Sequence, residues 1–524
     1  MQRRKFLKNI GAGVALPTVL NGFGVAAFAG SPVQSFINAP TTDTDHVLVI
    51  IQMAGGNDGL NTVVPLDQYD QLMTSRQEVV LPENGVLKIT DKVGLHPAMN
   101  GMRDLYDSGR LQVVQNVGYP NFNYSHFRAT DIWMSGADAN EYLPSGWAGR
   151  YLNYEYPNYP NDYPNPEMPH PLAVEIGYSL SLSLMGPQTS MGYVIPNADS
   201  FYNLVAGVQD PAPNTPAGEQ LAYVRAIAKQ SRAYNQSVID AYNAVSQQIA
   251  YPDTELATKL KIISRLIAGG LKTRLYIVTI DGFDTHAEQV DANDHTTGAH
   301  ADLLGQVSNA VKAFSDDLDY QGTSGRVTGI TTSEFGRRIV SNSSGGTDHG
   351  AAAPMFVFGK YVKGGILGDN PVIPNNPTDE DNVPMQFDFR SVYSTVLRDW
   401  FCVPDADVQG IVLHNLPYLN LFDSSTPCVS TATHEANQQA GRSYLRFAPN
   451  PFTVATTIEY ESLGGPTQIR IADTAGKTVE MLVNAWQSAG THQVLWAPDN
   501  LPAGTYFCHL RTGSMQQAKM VVKM

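Results

Sequence analysis

The stretch that decides the fold is Leu275-Tyr276-Ile277-Val278-Thr279-Ile280, which stops at Asp281-Gly282-Phe283-Asp284-Thr285-His286. A short, continuous apolar run of this kind reads as a strand buried on both faces, as in a parallel sheet. Two more such runs follow. Arg326 to Thr332 ends in Ser333-Glu334-Phe335-Gly336-Arg337, and Gly345-Gly346-Thr347-Asp348-His349-Gly350 leads into Pro354-Met355-Phe356-Val357-Phe358-Gly359. All three are read as buried, parallel strands. Open α/β sheets bind ligands just beyond the carboxyl ends of their strands. Asp284, His286 and Glu334 fall at such ends, with Asp348 and His349 on an adjacent loop, so 275–359 is expected to carry the active site.

Upstream, His46-Val47-Leu48-Val49-Ile50-Ile51-Gln52-Met53 is a further buried strand, and the glycine-rich turn after it sets Asp58 at its carboxyl end. The turn lacks the spacing of a dinucleotide site. Residues 96–108 read as a helix and Leu111 to Val117 as a strand. Asn121-Phe122-Asn123-Tyr124-Ser125-His126-Phe127-Arg128 then enters an apolar-periodic helix around Thr130-Trp133-Met134. That places Ser125 near a helix N-terminus, where backbone N–H groups stabilise anions. Residues 154–170 read as a surface insertion. Helices are expected at 219–250, 255–271 and 296–317, a loop at 363–386 and a last helix at 389–401. This alternation implies a doubly wound, mostly parallel α/β sheet.

With 524 residues the chain is too long for one ordinary core, so a large domain with an appendage is expected. A formal net charge of −15 argues against a nucleic-acid partner. Nothing past the N-terminus is apolar for long enough to be a permanent transmembrane segment. Arg3-Arg4-Lys5-Phe6-Leu7-Lys8, a weakly apolar stretch and Ala27-Phe28-Ala29 resemble a twin-arginine signal peptide over 1–29, with the twin-arginine translocase as partner. Residues 30–45 read as a flexible mature start. Cys402, Cys428 and Cys508 form no C-x-x-C motif, which speaks against a structural zinc knuckle. Cys402 and Cys428 can bridge in an oxidising compartment; Cys508 falls in a different domain.

After Cys428 the composition shifts. Residues 429–443 read as a linker, and from Tyr444 to Met524 short alternating strands point to a small β-sandwich of about seven strands. Pro449-Asn450-Pro451-Phe452, Asp473-Thr474-Ala475-Gly476-Lys477, Leu501-Pro502-Ala503-Gly504-Thr505-Tyr506 and the terminal Lys519-Met520-Val521-Val522-Lys523 resemble a type A sorting domain of the type IX secretion system. The resemblance implies type IX machinery as a partner. The implied route is through the periplasm to the outer-membrane surface or the extracellular space.

Asp58, Ser125, Asp284, His286, Glu334, Asp348 and His349 together offer carboxylates, imidazoles and a hydroxyl, a donor set for divalent ions such as Zn, Mn, Mg or Ca, one or two of them. The segments around Asp58, Tyr124-Ser125-His126-Phe127, Gly282-Phe283-Asp284-Thr285-His286, Thr332-Ser333-Glu334-Phe335-Gly336-Arg337 and Thr347-Asp348-His349-Gly350 resemble domain-of-unknown-function family 1501, itself similar to the alkaline phosphatase/sulfatase superfamily. The resemblance implies that fold for 46–428. It implies one metal on Asp284, His286 and His349, and a second near Asp58, Ser125 and Glu334, where Phe335 replaces an expected histidine. The expected activity is hydrolysis of an anionic phosphate or sulfate ester. Ser125 or a metal-activated water is the nucleophile, and Arg128 and Arg337 are candidates to hold the oxyanion. The competing expectation is a catalytically silent metal-binding surface protein that binds polysaccharide or another secreted protein.

Overall fold

The computed structural model describes residues 18–20, 23–25, 44–161, 163–177, 179–195, 234–246, 248–423, 428 and, apart from short turns, 445–523. Most of the expected signal peptide, residues 219–233 of the expected helix at 219–250 and the linker 429–443 lie outside the described residues. The chain divides into two compact units, Met1–Val429 and Ser430–Met524.

The first unit is built on a nine-stranded sheet. Its strands are β1 (Val47–Met53), β2 (Leu111–Gly118), β3 (Ala173–Ile176), β4 (Gly192–Ile195), β5 (Leu275–Ile280), β6 (Val327–Thr332), β9 (Ala353–Gly359), β10 (Gly365–Leu367) and β11 (Phe387–Asp388); a separate hairpin holds β7 (Arg337–Ser341) and β8 (Thr347–His349). Across the sheet the order is β10-β2-β9-β6-β1-β5-β3-β4, with β11 also on β2. The run 275–280 that anchors the sequence reading lies between β1 and β3 and is parallel to both.

Helices cover both faces, because alternate residues of each strand point to opposite sides. Val47, Val49 and Ile51 share a core with α1 (Asn100–Asp107), α4 (Glu255–Ala268) and α5 (Ala299–Tyr320). Leu48 and Ile50 of the same strand join Ile277 and Ile330 against α2 (His126–Ser135), α3 (Trp147–Glu155) and α6 (Phe389–Thr395). Such a strand carries no polar alternation because it has no solvent face. The architecture is a doubly wound, mostly parallel α/β sheet, as the sequence implies.

One expectation needs correction. The third apolar run, β9, is antiparallel to β6 and to β2; the rest of the sheet runs the other way. Direction is invisible in an apolar run, since burial on both faces imposes the same composition on either orientation. The reversal has a consequence for the site. The residues that precede β9 arrive at the edge where the parallel strands end, so Asp348 and His349 reach the loops after β5 and β6.

The second unit holds two antiparallel sheets. One pairs β12 (Leu445–Ala448), β13 (Thr456–Ser462) and β16 (Gly490–Trp496); the other has the order β15 (Thr478–Gln487), β14 (Gly465–Ala472), β17 (Gly504–Thr512), β18 (Met515–Lys523). Ile458, Tyr460, Ile469, Ile471, Trp496, Tyr506 and Leu510 form the core shared by both sheets. Cys402 and Cys428 are bridged, and Cys508 is free and buried in the second unit. Among the described residues no helix is long and apolar enough to cross a membrane.

Candidate metal centre

The turn after β1 makes the site possible. Gly55 and Gly56 have φ of +124° and +85°, in the region where a side chain is strained. A Cβ on Gly55 would stand 2.2 Å from the backbone nitrogen of Asp284, and one on Gly56 2.3 Å from the Phe335 ring. Only glycine lets the three loop ends close on one another.

At that junction the imidazoles of His126, His286 and His349 surround the Asp284 carboxylate. Their Nε2 atoms lie 3.4, 3.3 and 3.2 Å from its oxygens, and the Nε2 atoms of His286 and His349 are 2.8 Å apart. Each ring is held from behind through Nδ1. His349 Nδ1 bonds the Tyr124 carbonyl at 2.7 Å, His286 Nδ1 the Asp348 carboxylate at 2.9 Å and His126 Nδ1 the Glu334 carboxylate at 2.9 Å. A carbonyl or carboxylate oxygen can only accept, so in each neutral ring Nδ1 carries the hydrogen and Nε2 presents a lone pair. With the rings neutral, three Nε2 lone pairs are turned toward the Asp284 carboxylate. They repel unless a cation lies among them, and a carboxylate or carbonyl behind each imidazole is the usual support of a metal-binding histidine. Ligand atoms of His126, Asp284 and His349 all lie within 4.8 Å of one another.

Charge distribution agrees with this arrangement. Burial favours the neutral form of Asp284, but the Arg337 guanidinium and the neighbouring imidazoles outweigh it and hold the carboxyl below its ordinary value. Asp348 is likewise lowered, burial being outweighed by Asn342 and His286. Burial is the main cause that keeps His349 below the ordinary histidine value, against the opposing pull of the Tyr124 carbonyl and Asp284.

The other sequence candidates occupy different places. Glu334 and Asp348, expected as ligands, hold His126 and His286 from behind. Asp58 is fully buried and paired with the buried Arg76, and it accepts from Gln289 Nε2 at 2.6 Å. It therefore does not converge with Glu334 on a second metal. Where the family resemblance calls for a second histidine, Phe335 is buried, its ring 4.6 Å from His349 and 5.0 Å from His126. Neither arginine turns a free guanidinium to the site. Arg337 donates to the carbonyls of Gly55, Gly56, Phe283 and Thr347 and to Asp284, and Arg128 donates to the carbonyls of Asp138, Ala139 and Glu141. Buried loops leave orphan carbonyls, and a guanidinium fork is the side chain best able to satisfy several at once.

Ser125 is the N-cap residue of α2, yet its side chain makes no capping bond and is exposed. Its neighbours on both sides are tied to the centre, Tyr124 through its carbonyl to His349 and His126 through Nδ1 to Glu334. His126 is not among the ligands that the sequence suggests. The signal was its place next to Ser125 at the start of a helix that follows a sheet strand. An open cleft of about 470 Å³ adjoins the centre, with His126, Phe127, Asp131, Asp281, Asp284 and Glu334 on its walls.

Residues 227–399 match the family described as protein of unknown function (DUF1501), and residues 446–524 match the secretion system C-terminal sorting domain. No curated protein matches the chain. Among solved structures, PsFucS1 sulfatase from Pseudoalteromonas sp. aligns with 93% of this chain and 91% of its own at 11% identity and a TM-score of 0.32. An alkaline phosphatase superfamily protein from Vibrio parahaemolyticus aligns with 88% and 87% at 7% identity, also with a TM-score of 0.32. PorZ, a surface component of the type-IX secretion system of Porphyromonas gingivalis, is 18% identical over 20% of this chain, with a TM-score of 0.13; the chain spans 13% of its length. The chain carries a DUF1501 domain followed by a secretion system C-terminal sorting domain.

Proposed function

We propose that the first unit is an exported metal-dependent hydrolase of phosphate or sulfate esters. The observation that carries this reading is the convergence of His126, His286 and His349 Nε2 on Asp284, each ring oriented from behind. Such a donor set, rich in imidazole, suits Zn, Mn or Fe better than the oxygen-seeking Mg or Ca. A divalent ion held there supplies Lewis-acid polarisation of the ester's non-bridging oxygen. The remaining roles belong to the protein. In this reading Ser125, which makes no capping bond, is the nucleophile: its Oγ bonds to phosphorus or sulfur as the bond to the ester oxygen breaks, and the proton the serine gives up ends on the departing alcohol. Ser125 also stands at the N-terminus of α2, where free N–H groups favour negative charge. Glu334 and Asp348 fix the imidazoles, and Arg337 ties Asp284 to the loops after β1 and β5. The sorting-domain match supports delivery to the cell surface or beyond by the type IX machinery.

The test is turnover of aryl phosphates and aryl sulfates by the purified chain with Zn, Mn, Mg and Ca in turn. No turnover above a His349→Ala control with any ion would sink the reading. A second reading, a catalytically silent metal-stabilised surface protein, is favoured by the commitment of Asp58 to Arg76, which leaves one centre where the superfamily resemblance implies two. One firmly bound ion per chain by elemental analysis, with no esterase activity, would support it.

A further inference from the structure

We propose that Gln289 is a positioning residue of the metal centre, setting the spacing of His286 and His349 through Thr285 and Thr347; this role rests on the centre's binding an ion and not on ester hydrolysis. Thr285 lies between Asp284 and His286 on the loop after β5, and Thr347 opens β8, the strand that carries Asp348 and His349. Both hydroxyls donate to the same atom, Gln289 Oε1, at 3.0 and 2.7 Å. The backbones of the two segments meet at the same place, with Thr347 N donating to the Thr285 carbonyl at 3.2 Å. One amide oxygen therefore joins the two segments whose imidazoles stand 2.8 Å apart.

The amide cannot turn over. Its Nε2 donates at 2.6 Å to Asp58, whose carboxylate can only accept, so Oε1 is held toward the threonines. Asp58 is in turn paired with Arg76, and Gln289, Thr347, Asp58 and Arg76 are all fully buried. A buried ion pair is a costly way to fill space, which apolar side chains do as well or better. What this pair adds is a fixed anchor for one amide. Other side chains at 289 fail on the same geometry. Methionine fills similar space with neither bond, and glutamate keeps the acceptor for the threonines but sets a second carboxylate against Asp58. Groups that act behind metal ligands tune affinity because a bound ion tolerates little error in donor spacing.

The experiment compares wild type, Gln289→Met, Thr347→Val and the double variant as full chains loaded with Zn or Co(II). The readouts are Zn affinity by competition with a chelator, the visible spectrum of the Co(II) form, and urea unfolding without metal. Ser308→Ala, which removes the acceptor of Met102 N where α5 packs on α1, is the control for lost stability alone. Gln289→Met and Thr347→Val should each weaken Zn binding about tenfold and alter the Co(II) spectrum, whereas Ser308→Ala should change neither. The double variant should bind no more weakly than Gln289→Met, since Thr347 has already lost its acceptor there. Affinity and spectrum that move no more in Gln289→Met and Thr347→Val than in Ser308→Ala would overturn the proposal, as would two losses that multiply in the double variant. If Gln289→Met does not fold, the near-isosteric Thr347→Val decides alone. Wild type that binds neither ion removes the centre and this role with it. Wild type that binds both and turns over no ester removes the hydrolase reading and leaves the role of Gln289 standing.

Discussion

Replacing Glu334 by glutamine separates an orienting role from a ligand role. Glu334 Oε1 accepts from Gly55 N at 2.8 Å and from His126 Nδ1 at 2.9 Å, and glutamine keeps an acceptor of the same shape there. What disappears is the charge behind His126, which makes its Nε2 a stronger donor to a metal. Loss of such support typically weakens metal binding about 10- to 100-fold. With metal at a hundred times its wild-type Kd, binding adds about 2.7 kcal/mol to stability. After a hundredfold loss of affinity about 0.4 kcal/mol remains, so the metal-dependent gain falls by about 2.3 kcal/mol. For a unit of this size that is roughly 3 °C in Tm. In the metal-free protein both hydrogen bonds persist as neutral ones, at a cost of about 1 kcal/mol. The assay is the melting temperature of wild type and Glu334→Gln with and without Zn, read as a difference of differences, together with Zn affinity by competition with a chelator. If the two proteins gain the same Tm from Zn and bind it equally, Glu334 does not orient a ligand, and His126 does not belong to the centre.

Other outcomes follow from the same geometry. Ser125→Ala should keep its metal, since no ligand is lost, while turnover falls by orders of magnitude; near-normal turnover would reject the serine as nucleophile. Arg337→Lys should destabilise the unit by about 3–5 kcal/mol, because a single ammonium cannot serve four carbonyls and Asp284; a shift within error in urea unfolding would show that these carbonyls find other partners. Burial lowers the pKa of His96 to about 3 and of His300 to about 4, the nearby Asp58 opposing both shifts. Their contribution is fully present above the ordinary histidine value and is lost as pH falls toward those folded values, where the unfolded chain binds protons that the folded one refuses. His300→Gln should therefore flatten the stability profile between pH 6 and pH 5 by about 1.4 kcal/mol per pH unit, and an unchanged slope in urea titrations would contradict the assignment.

What the sequence determines here is whatever depends on composition along the chain. Runs such as Leu275 to Ile280 are strands because nothing in them can face water, and Asp284, His286 and His349 stand out as candidates because clustered carboxylates and imidazoles at strand ends suit a ligand better than a core. The Gly55-Gly56 pair marks a close approach for the same kind of reason. Tertiary structure alone decided which way β9 runs, and so why residues before it meet residues after β5 and β6. It also decided partnership. His126 and Glu334 meet across 208 residues of sequence, Arg337 reaches the Gly55 carbonyl across 282, and Asp58 turns to Arg76 instead of to a metal. A carboxylate's type is written in the sequence. Whether it binds an ion, pairs with an arginine or stands behind an imidazole depends on which groups long-range packing brings within three ångströms, and local pattern carries no record of that distance.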